Sequence, residues 1–423
     1  MINSDIIIIG GGAAGCFAAV CAAEQGKRVL LLEPGRLMHK LGITGKGRCN
    51  LTNNSDTETI LKHIKTNPRF LQGTLTRFGS ADVMAFFENL GVRLGTERGN
   101  RVFPVSGLAS DVVGALNMRM NILGVEIIKD RAVEILQAND VLVGVKCEKN
   151  SYYAPKAILA SGGLSYPKTG STGDGYKLAA AAGHTVTPLK PALVPIITRE
   201  DCSELAGLSL KNVKLSLFSA DMNDEGCSRN SHSLLYAGQG ELLFTHFGIS
   251  GPLALSASCY AEQSTSGNQQ IIKIDLKPAL DEKKLDARLL RDFSENKNKQ
   301  IQNALGALLP KIIIPCVISR ANIQPDKQVN EITVAERGRL LAALKGFTLT
   351  FAGVRPIDEA VITDGGIDVR EINPKTMESK LIKGLHFAGE VIDVAAFTGG
   401  FNLQIAFSTA YAAAIEGINK NLY

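Results

Sequence analysis

At 423 residues the chain exceeds one ordinary domain and is long enough to bury several cores, so two or three compact units are expected. Its 46 Lys and Arg against 41 Asp and Glu give a formal charge of +5, which permits an RNA or other anionic substrate without demanding one. Eight cysteines without paired CxxC spacing exclude a zinc ribbon or dense disulfide scaffold, and no apolar run approaches the roughly 18 residues of a membrane span.

The chain opens on Asp5-Ile-Ile-Ile-Ile-Gly10 with no basic leader or cleavage site, and a cytoplasmic location is the expectation. The segment 5–35 reads as a βαβ unit: a strand over 6–9, a helix over 15–25 and a strand over 29–32. Between strand and helix lies Gly10-Gly-Gly12-Ala13-Ala14-Gly15. Gly10 permits the tight turn, Gly12 lets backbone amides approach a pyrophosphate, Gly15 allows close helix packing, and the helix N-terminus favours the anion. Ala13 and Ala14 complete this set of cofactor-binding candidates. Glu33 ends the second strand, where it would accept hydrogen bonds from a ribose, with Pro34 beside it.

Next comes Thr44-Gly-Lys46-Gly47-Arg48-Cys49-Asn50-Leu-Thr52-Asn53, a loop of small and polar residues. A glycine backbone can run close to a planar ring, while Arg48 and the asparagines can orient phosphate or carbonyl groups. Lys46, Gly47, Arg48, Cys49, Asn50 and Thr52 are therefore cofactor candidates, as are Ala160, Gly162 and Gly163 further along. From about 191 to 345 the texture changes. Strand-like stretches at 213–218, 241–245 and 271–276 are followed by helical ones, including a Thr333-Val-Ala-Glu336 capping box with Gly346 as the stop. The expected division is 1–190 plus 347–423 as a discontinuous nucleotide-binding domain, 191–276 as a β-rich insertion and 277–346 as a helical subdomain.

The C-terminal end selects FAD over NAD. Leu385-His-Phe-Ala-Gly389-Glu390-Val-Ile-Asp393 is an apolar strand ending in Gly-Glu, a pattern that places a carboxylate near the ribityl and pyrophosphate of FAD. Thr398-Gly399-Gly400-Phe401-Asn402-Leu403 then opens a small-residue helix over 403–415, whose positive end can face the flavin edge where negative charge accumulates on reduction.

These motifs stand with Arg101-Val-Phe-Pro-Val-Ser106, Ser165-Tyr-Pro-Lys-Thr-Gly170-Ser-Thr-Gly-Asp174 and Thr245-His-Phe-Gly-Ile-Ser-Gly-Pro252. Together, over essentially the whole chain, they resemble the BaiN/RdsA (YhiN-like) family of NAD(P)/FAD-dependent oxidoreductases. The resemblance implies an α/β fold: a Rossmann-like FAD-binding domain of the two-dinucleotide type, with inserted β-barrel-like and small helical domains. It implies non-covalent FAD, NAD(P)H as a transient reductant, and a small-molecule or ribosomal RNA substrate. Members are associated with reduction of carbon–carbon double bonds, including uridine to dihydrouridine in ribosomal RNA and steps on bile-acid-like steroids; amine oxidation has also been attributed to them. The alternatives are an oxidase or dehydrogenase of a small amine or steroid-like molecule, and an FAD-containing RNA- or protein-binding factor. Val394-Ala-Ala-Phe397 stands where many relatives carry an Asp-Gly pair.

Reduction of a double bond needs a general acid for the carbon that does not receive hydride. Cys49, His246 and Tyr166 are the candidates, with a packed small residue or structural histidine as the competing roles. Arg101 and Arg355 are cationic candidates for anionic substrate groups, and Lys168 shares the Tyr166 loop. Cys16 and Cys21 have redox-pair spacing, but five residues rotate a helix by about 140°, so the thiols diverge. His386 sits mid-strand among apolar neighbours, as a core residue would. No histidine cluster suggests a metal, and no second GxGxxG offers a dedicated NAD(P) domain.

Overall fold

The computed structural model describes residues 4–220, 232–261 and 269–415. The chain divides into two compact units, Met1–Ala192 with Ile357–Tyr423, and Leu193–Pro356.

In the first unit the strands Ile6–Ile9 (β1) and Val29–Leu32 (β2) run parallel and are buried at every residue, joined by the helix Ala13–Glu24 (α1). Unbroken apolar strands suit a sheet covered on both faces. A hairpin of Leu94–Glu97 (β3) and Arg101–Pro104 (β4) follows, with Thr52–Asn53 paired to the other side of β4. The short strands Glu126–Ile128 (β5) and Ala157–Leu159 (β6) come next, and Leu385–Phe387 (β7) arrives from the C-terminal piece. Five of these strands form one parallel sheet in the order β7-β6-β1-β2-β5, with Ile8 opposite both Leu31 and Ile158, and Ile158 opposite His386.

Helix α1 is made of small and apolar residues on every side, the composition of a helix inside a domain. It packs on the equally buried helix Phe401–Ala414 (α2), where the Phe17 and Phe407 rings lie 5.0 Å apart. Polar residues buried on α2 are all bonded, as burial requires. Gln404 Nε2 donates to Ser408 Oγ at 2.9 Å and to Phe78 O at 3.3 Å, and Thr409 Oγ1 accepts from Gly389 N at 2.9 Å. Both helices start two residues before the apolar patterning suggests, because each is entered directly from a glycine, Gly12 and Gly400.

In the second unit six strands close a barrel in the order Ile196–Thr198, Gly248–Ser250, His232–Thr245, Ser209–Ala220, Gln269–Asp275 and Phe347–Val354. The boundary expected at 347 is corrected here. Phe347, Leu349 and Phe351 alternate into the barrel core, and their strand pairs with Gln269–Asp275 on one side and Ile196–Thr198 on the other, so the chain leaves this unit only after Pro356. The helices Glu282–Glu295, Ile314–Arg320 and Val334–Lys345 share the barrel's core, with Leu285, Val317 and Leu340 in one cluster with Leu215 and Ile272. Barrel and helical part are thus one compact unit rather than two. The capping box is present: Thr333 Oγ1 accepts from Glu336 N at 3.2 Å, and Glu336 Oε2 accepts from Thr333 N at 2.8 Å. Among the described residues no helix is long and apolar enough to cross a membrane.

Candidate active site

All five parallel strands end at one edge, and the cofactor candidates follow them: Gly10 after β1, Glu33 after β2, Ala160 after β6 and Gly389 after β7. In doubly wound sheets this edge is where ligands bind. A cleft there is lined by Gly10, Glu33, Pro34, Arg131, Ser161 and Thr172, among others.

The first glycine turn is shaped by close backbone approach. A Cβ on Gly15 would lie 1.9 Å from Gly10 O, so only glycine lets α1 close on β1, whereas the same atom on Gly12 would meet nothing within 4 Å. No side chain caps α1. Free N-terminal amides beside open space fit an anionic group such as a pyrophosphate. Glu33 is held by two backbone donors, Gly11 N and Gly35 N, each at 2.7 Å, and each carboxylate oxygen keeps a further lone pair for a hydroxyl.

The sequence reading missed the cleft wall beyond β5. Asp130 is buried and accepts from Arg131 N at 2.9 Å and from Lys149 N and Asn150 N, both at 3.3 Å, while Arg131 Nη1 pairs with Asp174 at 2.5 Å. The only signal was the apolar pair Ile127-Ile128, too short to register as periodic.

A second cluster surrounds the start of α2. Gly400 has φ 95°, and a Cβ there would lie 2.3 Å from Thr52 O, so the helix turn rests directly on the backbone of the earlier loop. With its amide oriented to satisfy both neighbours, Asn50 accepts from Gly400 N at 3.0 Å and donates to Thr52 O at 3.2 Å. Asn53 Nδ2 donates to Gly99 O and Gly399 O, both at 3.0 Å. Asn402 accepts from Ala396 N at 3.0 Å and donates to Ala396 O at 2.8 Å, which anchors the atypical Val394-Ala-Ala-Phe397 stretch. Phe401 stacks on His63 at 4.5 Å. Leu403 is half-buried on the first turn, which carries no side-chain cap. Gly389 joins the two clusters, because a Cβ there would come within 2.9 Å of Ala14 Cβ.

Other candidates take different surroundings. Glu390 binds Lys40 Nζ at 2.8 Å, Ser165 Oγ at 3.0 Å and Thr363 N at 2.9 Å, and Gly163 lies against its carboxylate. Nothing in the sequence singled out Lys40 or Thr363, and Ser165 stood only as the first residue of the 165–174 motif. Asp393 is half-buried and accepts from Asn67 Nδ2 through its main-chain oxygen at 2.7 Å; burial pushes its carboxyl up, and Asp364 and Asp368 add to the rise. Ala160 N donates to Ile9 O at 2.8 Å, extending the sheet toward the half-buried Gly162. Lys46 is exposed and Gly47 half-buried on the loop, and Arg48 pairs with Glu97.

Of the acid candidates, Cys49 is the most deeply buried, as its competing packing role would have it. It is 0% exposed within the core, and burial pushes its thiol up to about 12. Tyr166 is half-buried with φ 53°, and its carbonyl accepts from Thr169 N at 2.8 Å and Thr169 Oγ1 at 2.7 Å; Lys168 beside it is exposed. His246 belongs to the second unit, exposed on the turn after Thr245, where Arg355 lies 4.9 Å over the Phe247 ring. Cys16 donates to Gly11 O at 3.3 Å, and Cys16 and Cys21 are buried free thiols. His386 is buried in β7.

Residues 4–416 match the model of the HI0933-like protein Rossmann domain. The chain belongs to this family. Full-length relatives of this HI0933-like chain include the ribosomal RNA dihydrouridine synthase of Escherichia coli, 30% identical over 428 residues and covering 98% of both chains. The 3-dehydro-bile acid delta(4,6)-reductase of Clostridium scindens is 29% identical over 411 residues, covering 96% of this chain and 97% of its own. Among solved structures, the 3-ketosteroid delta1-dehydrogenase of Sterolibacterium denitrificans aligns with a TM-score of 0.52 at 13% identity, covering 98% of this chain and 99% of that one, a likeness of fold.

Proposed function

We propose that this HI0933-like protein is an oxidoreductase that holds FAD non-covalently and reduces an activated carbon–carbon double bond. Uridine in ribosomal RNA is the substrate and NAD(P)H the electron donor in this reading. The observation that supports it most is that one unit holds two uncapped helix starts from opposite ends of the chain, the first with Gly389 packed on Ala14 and the second with Gly400 packed on Thr52. The RNA substrate is supported by full-length similarity to proteins named ribosomal RNA dihydrouridine synthases.

FAD, when bound, supplies reversible hydride transfer. Gly10, Gly12, Ala13, Ala14 and Gly15 would hold its pyrophosphate, Glu33 and Pro34 the ribose, and Ala160, Gly162 and Gly163 the adjoining wall. Asn50, Thr52 and the Gly399–Gly400–Phe401–Asn402–Leu403 turn would hold the flavin ring, with the start of α2 favouring negative charge at its carbonyl edge. Lys46, Gly47 and Arg48 would border it, while Glu390 and Asp393 support the turn between the clusters.

Tyr166 supplies the proton for the second carbon. A bulky side chain at positive φ is an outlier of the kind that gathers at functional sites. His246 is the second acid candidate. Tyr166→Phe is expected to lower turnover by roughly 10²-fold or more while leaving the flavin spectrum unchanged; unchanged turnover would assign the proton elsewhere.

The test of the reaction has two arms. Anaerobic NAD(P)H should bleach the bound flavin, and dihydrouridine in ribosomal RNA should fall in cells lacking the gene. Bleaching by a small amine alone would defeat the reductase reading, and an unchanged dihydrouridine level would remove RNA as the substrate.

A further inference from the structure

Three arginines and one glutamate gather at the tip of the β3–β4 hairpin. Glu97 ends β3 directly opposite Arg101, which begins β4, and Arg98 sits exposed on the turn between them. Arg48 reaches Glu97 in an ion pair and lies 4.3 Å over the Phe103 ring. Arg101 lies 5.9 Å from the same ring, and its Nε donates to Arg98 O at 3.1 Å. The Arg48 and Glu97 side chains remain 43% and 40% exposed, so the group faces solvent. One carboxylate cannot balance three guanidiniums, and the tip keeps a net positive charge.

This tip adjoins the second glycine cluster. Asn53 is opposite Arg101 in the sheet, and its side chain bridges Gly99 on the hairpin turn to Gly399 before α2. Asn54 N donates to Asn100 O at 2.7 Å and Asn100 Nδ2 to Ser55 Oγ at 3.2 Å, which fixes the tip against the same loop. A polyanion lying along the hairpin would therefore be held beside the start of α2.

We propose that Arg48, Arg98 and Arg101 form a clamp for backbone phosphates of the RNA substrate proposed above, with Glu97 occupying Arg48 until a phosphate displaces it. Guanidinium forks match phosphate oxygens in pairs, and such contacts position a nucleic acid without reading its sequence. Spacing the forks around a turn suits a chain of phosphates better than one carboxylate.

Binding of a short uridine-rich single strand to the flavin-loaded protein, followed by fluorescence anisotropy across a salt series, tests the clamp. The double variant Arg98→Ala with Arg101→Ala should bind at least about tenfold more weakly, and its slope of log affinity against log salt should fall by about 1.4, or ~0.7 per lost phosphate contact. Glu97→Gln should tighten binding about threefold by freeing Arg48. Arg101→Lys should keep most of the salt slope, which separates lost charge from a disturbed hairpin. If the wild type binds RNA and the double variant matches it in affinity and slope, the clamp is overturned while the RNA substrate stands. A wild type that binds no RNA overturns both.

Discussion

Gly15→Ala is expected to give a colourless, poorly folded protein. Its new methyl would sit 1.9 Å from Gly10 O, a backbone atom that no rotamer change can move aside. Relief requires α1 to lift off β1, which also displaces the amides proposed to hold the pyrophosphate. Overpacking in a core costs typically 1–3 kcal/mol, and more when backbone must shift, against a total stability of roughly 5–15 kcal/mol. Gly12→Ala is the informative partner. Its methyl enters open space at φ −79°, so the fold should survive while FAD retention falls. Flavin absorbance of the purified variants and their melting temperatures check both. A yellow Gly15→Ala protein that melts like the wild type would refute the packing account.

The second large effect is a loss of stability in mild acid traced to His386. Burial, with the Lys156 charge adding, holds its imidazole down to about 3, against an ordinary value of 6.5. The unfolded chain therefore takes up a proton near pH 6.5 that the native state refuses until about pH 3. Above pH 6.5 the group leaves stability untouched; as pH falls from 6.5 toward 3 stability is lost progressively, by on the order of 5 kcal/mol at the lower limit. Urea unfolding of wild type and His386→Gln at matched pH isolates this contribution, since the other titratable groups are common to both. Stability of the variant should depend less on pH between 6.5 and 5; parallel curves would place the acid sensitivity in other groups.

How much could be read beforehand depended on whether a feature was local. The run Ile6–Ile9, the glycine spacing that follows and Glu33 are contiguous, and each expresses a backbone demand that the sequence states openly. The same holds for Gly399-Gly400 and for the Thr333 capping box. Partners of Glu390 were hidden because Lys40, Ser165 and Thr363 come from three distant segments; only Ser165 lies in a motif, and nothing in that motif ties it to Glu390. The end of the barrel unit was misplaced for a related reason: Phe347–Val354 declares itself by pairing with distant strands, Gln269–Asp275 on one side and Ile196–Thr198 on the other. The burial of Cys49 was not legible because its loop looks polar, yet the residue sits in a left-handed turn at φ 58° with its thiol in the core.

The far-end origin of β7 bears on how the protein is made. A ribosome delivers β1, α1, β2, β5 and β6 first and the barrel afterwards, and until Leu385–Phe387 emerges, β6 presents a bare edge to other chains. The contiguous barrel unit can mature meanwhile, but the nucleotide unit cannot. Premature termination anywhere before Gly400 would thus leave a sticky fragment missing half of its cofactor cradle, a natural target for chaperone capture and proteolysis.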